Sequence, residues 1–151
     1  MSRVVFLLEE YSMKVLLDGL LPRLFPGLPF ICVPHEGKHE DTLVRLACQE
    51  LEAWYFGAPN ALASAFEHPE LTRLGGKARF RDPDAIDQPT KALAKQVSEF
   101  QKVTGARRMA QYLSSDNRSR SFQVLMEGIE RLAGNMDADG LRHDSPSEKD
   151  E

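Results

Sequence analysis

The sequence has no uninterrupted apolar run longer than five residues, Val4 to Leu8. That is far short of the roughly 20 apolar residues of a membrane-spanning helix, so no membrane partner is expected. Cysteine is scarce. Cys32 and Cys48 stand apart in apolar surroundings, which argues against a disulfide framework and predicts two reduced core thiols. There is no internal repeat and no extended low-complexity tract. No signal peptide is expected, because Glu9 and Glu10 interrupt the N-terminal run before an h-region forms, and the cytoplasm is the expected compartment.

What is present suits a globular chain. With 151 residues, 42% hydrophobic and 28% charged, one domain over residues 1–134 is expected, followed by a disordered acidic tail over 135–151. The net charge of −4 hides an uneven layout. Residues 1–72 carry 5 Lys/Arg against 10 Asp/Glu, whereas residues 73–120 carry 11 against 5. A basic rear half of this kind points to a polyanionic partner.

The chain is organised around Val4 to Leu8, read as a strand buried on both faces. Ser12 is the expected N-cap of a helix whose apolar positions Met13, Leu16, Leu17, Leu20, Leu21 and Leu24 form one stripe. Pro22, Pro26, Gly27 and Pro29 close it, and short strands are expected at Phe30–Val33 and Leu43–Cys48. Further helices are predicted over 60–67, 70–74, from Thr90 to about Phe100, Ala106–Leu113 and Arg120–Ala133, with a loop from Lys77 to Pro89. The fold class is α/β, with a small, mostly parallel sheet of about three strands and a helical C-terminal half.

Three groups of residues carry chemistry. Glu9 and Glu10 end the first strand, and acidic residues at the C-terminal edge of a parallel sheet, together with Glu36, Glu50 and Glu52, suit a Mg²⁺ site built from oxygen ligands. His35-Glu-Gly-Lys-His39 spells H-E-x-x-H, but zinc proteases need that pattern inside a helix. Here Pro34 and a strand precede it and Gly37 sits at its centre, so a loop is expected. The third group is Asn117-Arg-Ser-Arg-Ser121, where two arginines at a helix N-terminus oppose the helix dipole unless an anion docks there. Lys77, Arg79, Arg81, Lys91, Lys102, Arg107 and Arg108 extend that basic surface toward a nucleic-acid backbone. Trp54, Tyr55 and Phe56 are expected in the core rather than as a base-stacking platform.

The blocks LLEEYSMKVLLDGLLPRL, VPHEGK, RLACQELEAWYFG, KARFRDPD, PTKAL, FQKVTGAR and NRSRSF occur in that order over about residues 3–133. On them the chain resembles a bacterial family designated domain of unknown function 4276. Its members are similar to Toprim folds and are often encoded beside an ABC/AAA-type ATPase, as in split relatives of the OLD nucleases. The resemblance implies a Mg²⁺- or Mn²⁺-dependent nuclease or nucleic-acid-processing subunit working with that ATPase, in bacterial defence or DNA repair. It implies Glu9 as the catalytic glutamate and metal ligand, with Glu36 and Glu52 as further metal positions. Lys91, Lys102, Arg118 and Arg120 would face nucleic acid. The alternative is a non-catalytic remnant that binds its ATPase or a nucleic acid.

One departure separates the chain from the family. The segment that carries an Asp-x-Asp pair at a strand end is missing between the HEGK block and the strand before ELEAWY. Asp82-Pro-Asp84 and Asp137-Ala-Asp139 match the letters but are expected in a loop and in the tail. Seven residues, 35–41, then join strands that would be parallel, and a parallel crossover ordinarily takes a dozen or more. Either an antiparallel hairpin forms, or the third strand moves beside the first.

Overall fold

A computed structural model describes residues 3–34, 42–45 and 50–143. Strand β1 (Val4–Leu8) is buried along its whole length and takes a partner on each side. On one side it pairs in parallel with β2 (Phe30–Pro34), Val4 opposite Phe30 and Leu8 opposite Pro34. On the other it pairs in parallel with Thr42–Arg45 (β3), Val4 opposite Thr42 and Leu7 opposite Arg45. The order is therefore β2-β1-β3, and the two short strands flank β1 rather than pairing with each other as a hairpin. Of the strand expected at Leu43–Cys48, residues 46–49 lie outside the described residues, as does the H-E-x-x-H segment 35–39.

Alternation along β1 puts Val4, Phe6 and Leu8 on the face that enters the main core. Helix α1 (Tyr11–Leu24) lies against them with Leu16, Leu17, Leu20 and Leu21 fully buried, the stripe that its spacing predicts. Each such side chain contributes about 1.5–3 kcal/mol of burial. The helix begins one residue before Ser12. Glu10, in an extended conformation, is the N-cap residue, and the Ser12 hydroxyl donates to the Glu10 carboxylate at 3.2 Å. Pro22 sits inside the last turn rather than beyond it. At the other end of the chain's core, α1 packs on α5 (Lys102–Met109) closely enough that a Cβ on Gly19 would meet Ala110 Cβ at 2.8 Å.

Between the sheet and that helix lie α2 (Glu52–Phe56), α3 (Pro59–Phe66), three 3₁₀ turns at Pro69–Gly76, Ala78–Phe80 and Pro83–Ala85, and α4 (Pro89–Gln96). Trp54, Tyr55 and Phe56 are core residues, 2%, 0% and 1% exposed, as expected. The fifth helix starts and ends about four residues earlier than its spacing predicts. The last, α6 (Arg120–His143), starts where expected but runs ten residues past Ala133. Its apolar spacing explains this: Ile129 and Leu132 are followed at helical intervals by Met136, which packs against the core, and no proline intervenes. Residues 144–151 of the acidic tail lie outside the described residues.

Cys32 on β2 is buried, and burial, reinforced by the neighbouring Asp18 carboxylate, pushes its thiol up to about 12. Roughly one thiol in ten thousand is then ionised at pH 8, and only the thiolate reacts. Site-resolved mass spectrometry should find Cys32 protected from iodoacetamide in the native protein and modified in urea. Equal labelling rates in both would contradict its buried placement.

Candidate functional site

Where β1 ends, four segments of the chain converge. Glu9 and Glu10 leave the strand and are both exposed. Lys102, the first residue of α5, places Nζ 3.4 Å from Glu10 Oε1. Glu52, the first residue of α2, is 1% exposed, and its carboxyl responds to the charges of both Lys102 and Glu10. Thr90 at the start of α4 completes the group. Its backbone N–H donates to Glu50 at 2.7 Å, and its hydroxyl lies 2.9 Å from Glu50 Oε2 and 3.0 Å from Glu52 Oε2. Gln88, at φ 47°, takes a left-handed conformation immediately before Pro89, and this tight entry aims the first turn of α4 at Glu50.

One hydroxyl carries one proton. If Thr90 donates it to Glu50, the contact with Glu52 is satisfied by a protonated Glu52 donating back to Thr90. The burial of Glu52 favours its neutral form. Burial pushes its carboxyl up and the Glu10 charge adds to this, against smaller opposing pulls from its hydrogen bonds and the Lys102 ammonium.

A divalent ion of the magnesium type takes ionised oxygens. Here Glu10 already faces an ammonium, Glu50 accepts from Thr90, and Glu52 is buried with its charged form disfavoured. Among the described residues no group of three His, Cys, Asp or Glu side chains is arranged to hold a metal ion. The described donor set therefore does not fit magnesium. Glu9 stands at the strand end, and Glu36 lies outside the described residues. The carboxylate drawn into the cluster is Glu10 rather than Glu9, and Lys102 sits among acids instead of on a basic face.

A second convergence lies at the start of α6. Asp84 accepts the Ser119 hydroxyl at 2.7 Å, the Ser121 hydroxyl at 3.0 Å and the Ser121 N–H at 3.1 Å. Ser119 in turn accepts the Phe122 N–H at 3.3 Å, the usual N-cap bond. The anion that this helix terminus called for is thus internal. Partial burial disfavours the charge on Asp84, but the hydrogen bonds from Ser119 and Ser121 outweigh it and hold the carboxyl below the ordinary range. Asp82 accepts the Asp84 N–H at 3.1 Å, so the Asp-Pro-Asp letters mark a capping turn. Asp137 and Asp139 lie on α6.

The same node takes in α2. Trp54 Nε1 donates to the Ser121 hydroxyl at 2.9 Å, and buried Asn117 donates to the Trp54 carbonyl at 2.9 Å while accepting the Ser119 N–H at 2.8 Å. Arg118 places its guanidinium on two carbonyls, Gly75 at 3.1 Å and Arg81 at 2.6 Å. Arg120 is exposed and pairs with Glu127 at 3.6 Å. Lys91 is exposed beside Thr90 on α4. The four positions expected to face nucleic acid thus divide between two places: Lys91 and Lys102 on the helices around the acidic cluster, Arg118 and Arg120 at the start of α6. The sequence marked Glu10 only as one of a pair with Glu9, Thr90 only as a helix start and Asp84 only as part of a loop. The one signal pointing to Asp84 was the pair of arginines that left a helix terminus in want of an anion.

The profile of the family described as domain of unknown function (DUF4276) matches residues 31–130. The chain belongs to that family. The curated proteins and the solved structures offer no match. The ELEAWYFG, KARFRDPD and NRSRSF blocks that carried the resemblance meet one another at the α6 cap, and the LLEEYS, QELEAWY, PTKAL and FQKVTGAR blocks meet at the acidic cluster. No helix among the described residues is long and apolar enough to cross a membrane.

Proposed function

We propose that this member of the family is a non-catalytic, Toprim-like subunit that binds nucleic acid and works beside an ABC/AAA-type ATPase. The observation that carries this reading is the Lys102 ammonium paired with Glu10, with its charge also reaching buried Glu52, at the edge where a nuclease of the Toprim kind would hold magnesium. A lysine charge in that position neutralises the Glu10 carboxylate without a metal. The basic balance of residues 73–120 supports a nucleic-acid partner. The ATPase partner rests on the family likeness alone.

A second reading, a magnesium- or manganese-dependent nuclease centred on Glu9, is favoured by one feature. Glu9 is exposed at the end of the central strand, and β2 ends at the same edge of the sheet, two residues before Glu36 in the sequence. The two readings part in one experiment. Calorimetry with Mg²⁺ and Mn²⁺ is expected to give no binding heat, and incubation with labelled DNA or RNA and either ion no cleavage. Saturable metal binding and cleavage that are both lost in Glu9→Gln would reverse the choice.

A further inference from the structure

We propose that the segment Arg73–Arg81 is a rigid, nucleic-acid backbone-binding loop, and that Arg118 is the positioning residue that holds it. This deepens the nucleic-acid reading above and rests on it. Between Glu70 and Asp82 the chain has four cations, Arg73, Lys77, Arg79 and Arg81, and no acid. All four are exposed, and none forms an ion pair with a described carboxylate. The acids on either side are engaged elsewhere. Glu70 contacts His68 at 3.2 Å, Asp82 accepts a backbone N–H, and Asp84 is held by the serines of α6. Arg79 lies over the Phe80 ring at 5.3 Å, and among the described residues no carboxylate neutralises any of the four charges.

The backbone beneath them is fixed. Leu74 and Phe80 are buried, and the Phe80 ring stacks on Phe56 with centroids 4.9 Å apart and planes 5° from parallel. The Arg118 fork spans the segment by bonding the carbonyls of Gly75 and Arg81. Gly75 makes this approach feasible, since a Cβ there would lie 2.6 Å from Arg118 Nη1. With both Nη groups on carbonyls, the guanidinium is fixed in place, and its planar fork is what sets the loop's shape.

The chemistry selects nucleic acid over a lipid surface. Charge alone attracts so few cations to an anionic membrane only weakly, stable anchoring needs apolar side chains inserted as well, and Leu71, Leu74 and Phe80 are all buried. The loop also exposes no aromatic ring for base stacking, so its contacts are to phosphates. Binding should be indifferent to sequence and steeply salt-dependent.

Fluorescence anisotropy on the full chain with labelled duplex DNA and duplex RNA, from 50 to 200 mM KCl, tests this. Lys77→Ala/Arg79→Ala/Arg81→Ala is expected to weaken binding at least tenfold at 50 mM KCl. It should also lower the log–log salt slope by about 0.9 for each phosphate that the variant no longer neutralises. A control that removes exposed cations elsewhere, Lys95→Ala/Arg131→Ala, should move neither as far. Arg118→Lys keeps the charge and loses the fork. A positioning role predicts a clear affinity loss in a variant whose melting is otherwise near wild type, and unchanged affinity would overturn that role. If wild type binds and the triple variant keeps its Kd and slope, the loop assignment is wrong while the nucleic-acid reading stands. Absence of binding by wild type at 50 mM KCl, or binding to phosphatidylserine vesicles in its place, overturns both.

Discussion

Gly57→Ala is expected to destabilise the protein by about 2–5 kcal/mol, through overpacking together with loss of buried hydrogen bonds. An ideal Cβ at this position would lie 2.0 Å from Asn117 Oδ1 and 2.8 Å from the Ser119 nitrogen. Neither neighbour can yield cheaply. Asn117 is 4% exposed, and moving its amide breaks the bonds to the Trp54 carbonyl and from the Ser119 N–H together. Gly57 also accepts the Arg118 N–H at 2.8 Å, so a shift of its backbone would loosen the Arg118 fork as well. For a chain of this length the expected fall in Tm is on the order of 10 °C. Gly76→Ala is the control. Nothing lies within 4 Å of its added Cβ, and a surface change of that kind should stay within about 0.5 kcal/mol. Thermal and urea unfolding of the two variants side by side checks the claim, and matching melting temperatures would sink it.

The contrast shows which parts of the molecule were legible in the chain. β1 and α1 were, because a five-residue apolar run and a helical stripe of leucines each have one good solution. The end of α6 was not. Its last turns carry only Met136, Ala138 and Leu141 as apolar residues, and Met136 alone continues the stripe from Leu132 at a four-residue interval, a weak signal against an acidic composition. The two convergences were illegible for a different reason. Glu9 and Glu10 are adjacent, and successive side chains at a strand end point opposite ways, so one alone can turn toward Glu52. Sequence order does not say which. Likewise Arg118 and Arg120 look equivalent two residues apart, yet one meets backbone carbonyls from a segment 37–43 residues earlier and the other pairs with Glu127 on its own helix. Residues that stood out as a basic motif were distinctive because they assemble the α6 cap, where Trp54, Asp84 and Asn117 supply the partners.

Glu52→Gln is expected to leave the protein as stable as wild type or more so at pH 8, whereas Glu52→Ala should cost about 2 kcal/mol or more at every pH. Glutamine has nearly the shape of a protonated glutamic acid, and its amide can donate to Thr90 as that acid would. The sign follows from linkage. Burial, aided by the Glu10 charge, raises the Glu52 carboxyl above its unfolded value, against weaker pulls from its hydrogen bonds and Lys102. A carboxyl raised on folding favours the native state most when both states are protonated, and that advantage is lost as pH rises through the folded value. Wild type should therefore lose ground to the glutamine variant as pH rises above the ordinary glutamate range, and their Tm curves should converge at the acid end. A metal ligand behaves in the opposite way. Millimolar Mg²⁺ would raise the Tm of wild type and not of the variant, because an amide cannot replace an ionised oxygen. The position of Lys102 beside Glu10 predicts that Mg²⁺ moves neither. A wild type more stable than Glu52→Gln at pH 8 without metal would mean that the buried carboxylate is ionised and held by Lys102. The protonated contact between Glu52 and Thr90 would then have to be abandoned.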